Sequence, residues 1–440
     1  MMKKWIFMLA FGSSVAQADM LDALNAYEQK DFAEAQQQFQ QLIPLGNELA
    51  AFNLGAMAYQ GDGQEQNIVQ ALGYFMLAAE LKHEQAKSLL LSVSKAASEQ
   101  QLEQANDFFI ELKQSVKILD TNLHNTRADS TPQPIKRVPP DYPKTAAMAG
   151  QFGYVKARFL VDEQGKVTAV DTVDAYPKSV FERASIKAIK RWRYEPSNQK
   201  QLLNVRLDFS LSGGVDVSAV EAVVNKHNLW NYAVSGSPNH QFALGTLLSL
   251  VDIQSGNLYR YDSELPMTAT TDFSVFKNQA EVKADFSGFL GRALVRVAAD
   301  GTITEQISAD VEPKSKVESL VGLKLKGKIT TDVYNVSTYT LFDGHRKVRV
   351  MPSLQVSPAM SGMFWWEQAA KNGSLEAQRV MAAYDKQWEA YLLNEQDAEV
   401  MAWAGSKLLI DGQREQGMQL LEQALAKNYK LAAEMKKQFM

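Results

Sequence analysis

The sequence predicts a multidomain α+β protein. It has α-helical repeat segments at both ends, a small mid-chain α+β unit built of hairpin, helix and edge strand, and a further β-rich region. Three observations lead there. At 440 residues the chain is long enough for two to four domains. Residues 19–120 and 356–440 are rich in Ala, Leu, Gln and Glu at helical spacing, and a helical segment is expected at 213–262. Residues 141–212 and 263–355 instead carry runs that alternate apolar and polar side chains, the mark of half-buried strands.

The N-terminus reads as a targeting segment. Cationic Met1–Lys4 precedes an apolar run, Trp5–Ala16, and the small-x-small pattern Ala16-Gln17-Ala18. That run is too short to span a bilayer, which takes roughly 20 residues. Residues 1–18 are expected to be a signal peptide cleaved after Ala18, so the mature protein is expected to be exported and soluble.

Composition excludes several function classes. The net charge of -4 and pI near 5.9 argue against a nucleic-acid partner. With no cysteine there are no disulfides or thiolate metal sites. His83, His124, His227, His240 and His345 are scattered, and no HExxH, GxSxG or phosphate-binding glycine loop occurs. The chain is therefore expected to be non-enzymatic, with no cofactor and no metal. Trp365, Trp366 and Trp403 are expected to pack in helix-pair cores rather than form a ligand platform.

In 19–120, Leu54, Met57 and Ala58 share one helix face, Gly61-Asp62-Gly63 breaks the chain, and Ala71, Tyr74, Phe75 and Ala78 share a second face. The Leu54-Gly55 pair, the glycine turn and Ala71-x-x-Tyr74 resemble a Sel1-type repeat, a relative of the tetratricopeptide repeat. Residues 365–384 and 404–432 read as helix pairs of the same kind. Such pairs stack because none can bury its apolar face alone, and their concave surface would hold a second protein.

Residues 121–140, with four prolines within nine residues, read as an extended linker. Tyr142-Pro143 then fits entry to a short helix. In the hairpin that follows, Val155, Ala157, Phe159 and Val161 point one way and Lys156 and Arg158 the other, with the turn at 162–165. Ser179 and Glu182 form a capping-box pattern. Phe181, Ser185, Ala188 and Trp192 line one face of the helix it opens, and Lys187, Lys190, Arg191 and Arg193 crowd its last turns, where the dipole favours cations. Pro196 ends it, and Leu202–Leu211 follows as a third strand.

Tyr142-Pro143, the Gly153 hairpin with Asp162 and Gly165, Phe181, and above all Arg191-Trp192-Arg193-Tyr194-Glu195-Pro196 closely resemble the C-terminal domain of TonB-family proteins, over about 70 residues. The resemblance implies a small α+β domain that engages the TonB-box segment of outer-membrane transporters by adding the partner as a strand. It implies a binding edge made of Leu202, Leu203, Asn204, Val205, Arg206, Leu207, Asp208 and Phe209, with Tyr142 and Pro143 close by. Asp141 stands where the family often has Gln before Tyr-Pro. The expected role is coupling or adaptor work in TonB-dependent transport across the outer membrane, with inner-membrane motor proteins as further candidate partners. The alternative is a periplasmic scaffold in which the TonB-like fold is only structural. Unlike a TonB energy transducer, this chain is expected to lose its apolar leader and continues some 230 residues past the domain. Binding without force transmission is therefore the expected use.

One internal pattern stands out. Gly291–Ser315 follows Gly153–Ser179 in spacing, with nine residues from glycine to turn aspartate in both. Residues 290–342 are therefore expected to be a decayed second copy of the unit. This requires Arg292–Ala298 and Thr302–Ile307 to pair as a hairpin.

Overall fold

The computed structural model describes residues 18–119, 134–211, 216–255, 258–262, 264–265, 273–277, 282–340 and 345–440. The expected leader, 1–18, lies outside these residues except for Ala18, as does 121–133 of the expected linker. The chain forms two compact units, one comprising residues up to Leu119 with 371–374, the other the remainder. Among the described residues no helix is long and apolar enough to cross a membrane.

The first unit holds α1 (Met20–Glu28), α2 (Phe32–Leu42), α3 (Glu48–Gln60), α4 (Ile68–Glu80), α5 (Ala86–Ser94) and α6 (Glu99–Ser115). Side chains of Asp19, Asp31, Asn47, Asn67 and Ser98 accept from first-turn amides, so each start is written locally. Leu54, Met57 and Ala58 of α3 and Ala71, Tyr74, Phe75 and Ala78 of α4 are buried, as their spacing predicts. Gly55 lets α4 close in, since a Cβ there would lie 2.7 Å from the Phe75 ring.

The second unit begins with β1 (Pro134–Lys136), α7 (Lys144–Met148), β2 (Gly153–Val161), β3 (Val167–Tyr176), α8 (Glu182–Ile189), β4 (Arg193–Tyr194) and β5 (Gln201–Phe209). β2 is central in an antiparallel sheet of order β3-β2-β5, and β1 pairs separately with β4. α8 lies on one face, where Val155, Ala157, Phe159 and Val161 pack with Phe181, Ile189, Trp192 and Tyr194. Two details differ from expectation. α8 stops at Ile189, and Trp192 sits beyond it, anchored because its Nε1 donates to the Val138 carbonyl at 2.8 Å and Arg137 covers its ring at 5.1 Å. Hence 134–140 belongs to the folded domain rather than to a linker. Ser179 is not the cap either. It adopts φ 65° and its amide donates to Glu182 Oε1, while Phe181 occupies the N-cap position without a side-chain bond.

Next come α9 (Val217–Lys226), α10 (Leu229–Val234), α11 (Pro238–Ser255), β6 (Leu258–Tyr261), β7 (Lys283–Ala284), β8 (Gly291–Val297), β9 (Ile303–Val311), β10 (Leu325–Lys326), β11 (Val333–Thr340) and β12 (Arg346–Val356). A five-stranded sheet runs β6-β12-β11-β8-β9, all antiparallel except β6 on β12, and β7 pairs with β10. Val282, Phe289, Val295, Ile303, Leu320 and Tyr334 anchor its core. The chain closes with α12 (Gly362–Lys371), α13 (Leu375–Ala382), α14 (Lys386–Asn394), α15 (Ala398–Ile410), α16 (Arg414–Ala426) and α17 (Leu431–Lys437).

Candidate partner-binding edge

β5 pairs with β2 without interruption, from Gly153 opposite Phe209 to Val161 opposite Gln201. β3 takes the other side of β2. Among the described residues no strand pairs with the outer side of β5, so alternate amides and carbonyls of this strand face away from the sheet.

The two faces of β5 are unlike. Leu203, Val205 and Leu207 are half-buried against the core beneath α8, and Phe209 is buried, stacked on Phe181 at 4.3 Å between ring centroids. Tyr142 stands edge-on to both rings, 5.8 Å from Phe209 and 5.6 Å from Phe181, and its hydroxyl donates to the Gln151 carbonyl. The sequence-predicted Tyr142 therefore does sit at the Phe209 end of the edge. Pro143 serves locally, at the N-cap position of α7. Asp141 forms an exposed ion pair with Lys187 at 3.5 Å.

On the opposite face, Leu202 packs against the C-terminal helices, while Asn204 and Asp208 are exposed. Arg206 is engaged internally. Its guanidinium lies 3.9 Å from the Tyr154 ring centroid, bonds Asp208 at 2.8 Å, and donates to the Ser249 carbonyl at 3.1 Å.

That face also carries a charged layer. Lys156 Nζ sits 4.1 Å from the centroid of the Trp366 ring, and burial pushes its pKa down to about 8 despite Asp174, Asp208 and Asp252 nearby. Arg158 lies 4.5 Å from the Trp403 ring and bonds Asp171 at 3.1 Å and Glu399 at 2.5 Å. Asp171 also accepts from Trp403 Nε1 and the Tyr429 hydroxyl. Burial raises the carboxyls of Asp174 and Glu399, and Asp252 is held at about 6 for the same reason. Trp366 and Trp403 are therefore platforms for the sheet's own cations. Sequence reasoning missed this layer. The available signal was two cations alternating with apolar residues on a central strand, in a chain whose C-terminal helices are unusually rich in tryptophan. Among the described residues, no group of three or more His, Asp or Glu is placed to hold a metal ion.

A three-stranded antiparallel sheet with one covering helix, in which no described strand pairs with the outer side of β5, makes a small α+β domain. Residues 138–211 match the family model of the Gram-negative bacterial TonB protein C-terminal, which places a TonB C-terminal domain there. The protein TonB of Escherichia coli strain K12 is 34% identical over 92 residues, covering 21% of this chain and 38% of that protein. TonB of Yersinia enterocolitica is 36% identical over 64 residues, 14% of this chain and 25% of its own length. TonB of Pseudomonas aeruginosa is 32% identical over 68 residues, 16% and 20%. The chain thus spans less than two-fifths of the length of these relatives. The solution NMR structure of the Pseudomonas aeruginosa TonB C-terminal domain is similar at 28% identity, covering 19% of this chain and 90% of that one, with a TM-score of 0.18.

Proposed function

We propose that this is a periplasmic coupling or adaptor protein of TonB-dependent transport, and that β5 accepts an extended segment, the TonB box, of an outer-membrane transporter. The observation that carries the reading is the unpaired outer side of β5 in a stretch matched to the TonB C-terminal domain. The partner adds backbone hydrogen bonds along Leu202–Phe209, and its side chains on one face meet Val205, Leu207 and the Tyr142–Phe209 end. Four to six such bonds at about 0.5–1.5 kcal/mol each leave only a few kcal/mol before ordering costs. Affinity is therefore roughly micromolar or weaker, which suits transient coupling. The helical segments hold a second protein, and inner-membrane motor proteins are the candidate source of any force. The protein does its work by binding, without catalysis.

A second reading, a scaffold with a structural TonB-like module, is favoured by one observation. The sheet face opposite α8 is covered by the chain's own C-terminal helices. The test is co-purification from the periplasm with the mature chain as bait, beside an Asn204→Pro variant, which removes an amide that faces away from β2 and is checked for folding by circular dichroism. Capture of TonB-dependent transporters, lost in the folded variant, supports the first reading. Equal capture of other envelope proteins by both baits supports the scaffold.

A further inference from the structure

Strands β3-β2-β5 and strands β9-β8-β11 of the five-stranded sheet share one plan. β2 and β8 each begin at a glycine pressed against the returning strand, where a Cβ would lie 1.8 Å from the Tyr176 carbonyl oxygen at Gly153 and 2.1 Å from that of Asp310 at Gly291. Both hairpins carry a bulge at the fourth position. Lys156 and Ala157 face Asp174 and Thr172, skipping Val173, while Leu294 and Val295 face Ser308 and Gln306, skipping Ile307. Both carry a second bulge beside the turn that skips a threonine. Thr168 Oγ1 donates to the Leu160 carbonyl at 3.4 Å and Thr304 Oγ1 to the Arg296 carbonyl at 3.3 Å.

The turns match as well. Gly165 N bonds the Asp162 carbonyl and Gly301 N that of Ala298. Tyr194 N then bonds the Gly165 carbonyl, as Leu325 N bonds that of Gly301. Lys166 bridges Arg193 as Thr302 bridges Lys324. The short pair β1–β4 corresponds to β7–β10, and β5 alongside β2 corresponds to β11 alongside β8. The second hairpin is two rungs shorter, so Ala298 rather than Asp300 stands where Asp162 does, and the aspartate spacing read from the sequence is not the true correspondence. The other difference is α8, whose place is taken by an irregular segment, 312–324.

We infer that residues 283–340 are a second copy of the strand-accepting module, and that β12 permanently fills its acceptor edge. β12 pairs with β11 over seven consecutive rungs, Tyr334 with Pro352 to Thr340 with Arg346, on the side where β5 is unpaired. β6 lies along the far side of β12 and locks it in place. Among the described residues the chain therefore carries two modules of this type, of which only the first has its acceptor strand unpaired on the outer side, and it takes one extended segment per molecule. The count of one partner rests on the function proposed above. The duplication and the closed edge do not.

Residue-resolved amide hydrogen exchange on the full mature chain tests this, with and without a synthetic peptide spanning the TonB box of an outer-membrane transporter. In the free chain, amides of β5 that face away from β2 should exchange fast, while the β11 amides facing β12 should be protected. The peptide should bring protection to β5 alone and saturate at one per chain. Fast exchange along the β12-facing side of β11, new protection on β11, or saturation at two peptides overturns the inference. If the peptide protects neither strand while the free-chain contrast between β5 and β11 holds, the closed second module stands and the transport reading fails. Slow exchange on the outer side of β5 in the free chain overturns both.

Discussion

Lys156 Nζ and the Trp366 ring, 4.1 Å apart, join the central strand of the TonB-like sheet to a helix late in the chain. A lysine on that face would meet solvent in a free-standing domain. Here it is covered, and its neighbours are Asp174 on β3, Arg206 and Asp208 on β5, Asp252 on α11, and the rings of Tyr154 and Tyr384.

The contact is predicted to matter for stability. Trp366 is 1% exposed and its Nε1 donates to Thr246 Oγ1 at 3.1 Å. Trp366→Leu should cost about 3–5 kcal/mol in urea unfolding, from lost volume, the indole bond and a desolvated cation–π contact. Trp366→Phe keeps an aromatic face under the ammonium and should cost about half as much.

Lys156 also predicts a pH dependence. Burial holds it at about 8 in the folded chain, against about 10.4 when unfolded. Below pH 8 both states carry the proton. Between the two values the unfolded chain holds more protons, so stability rises with pH across that window, by on the order of 2–3 kcal/mol. Denaturation at pH 7, 8, 9 and 10 should show the rise, and Lys156→Met should remove it.

Arg158 is held from two sides, by Asp171 on β3 and Glu399 on α15, with Trp403 under its guanidinium. Glu399→Ala removes one of the two counter-charges from a largely buried cation and should destabilise by about 3 kcal/mol. Glu399→Gln keeps a hydrogen bond and should cost less. A cycle with Asp171→Asn should show strong non-additivity, because both carboxylates serve one guanidinium.

Gly165 seats the Arg193–Tyr194 strand. It has φ 77°, and a Cβ there would lie 2.0 Å from the Tyr194 carbonyl oxygen. Because the obstacle is backbone, Gly165→Ala should cost about 3 kcal/mol or more. Gly150 also has positive φ, at 61°, but no atom lies within 4 Å of the place a methyl group would take, so Gly150→Ala should cost only about 1 kcal/mol. Gly301→Ala should resemble the first, since its Cβ would come 2.3 Å from the Leu325 carbonyl oxygen.

Much of this domain is legible in the sequence because its signals are local. Alternation fixes the faces of β2 and β5, and the Trp192-to-Pro196 stretch marks where the helix gives way to strand. The spacing of Trp192 from Ala188 fits a helical face and so points to the wrong element, because its actual anchor, the Val138 carbonyl, lies 54 residues upstream. Arg206 reads as available to a partner for a similar reason. The sequence shows an alternating strand, and only the fold brings Ser249 and Tyr154 to its guanidinium. The internal repeat is visible as spacing, but bulges and paired rungs carry the true correspondence, and these depend on register rather than residue type.

The outer side of β5 is proposed to receive a transporter's segment. The chain has no native cysteine, so single introduced thiols report position without background. Asn204→Cys, exposed on β5, should form a disulfide with a cysteine placed in the TonB box of an outer-membrane transporter in isolated cell envelopes. Lys347→Cys, exposed on β12, should not. Cross-linking at Asn204 that disappears when excess synthetic TonB-box peptide is added is the predicted result. No cross-link at Asn204, or equal cross-linking at both positions, would rule out β5 as the receiving edge.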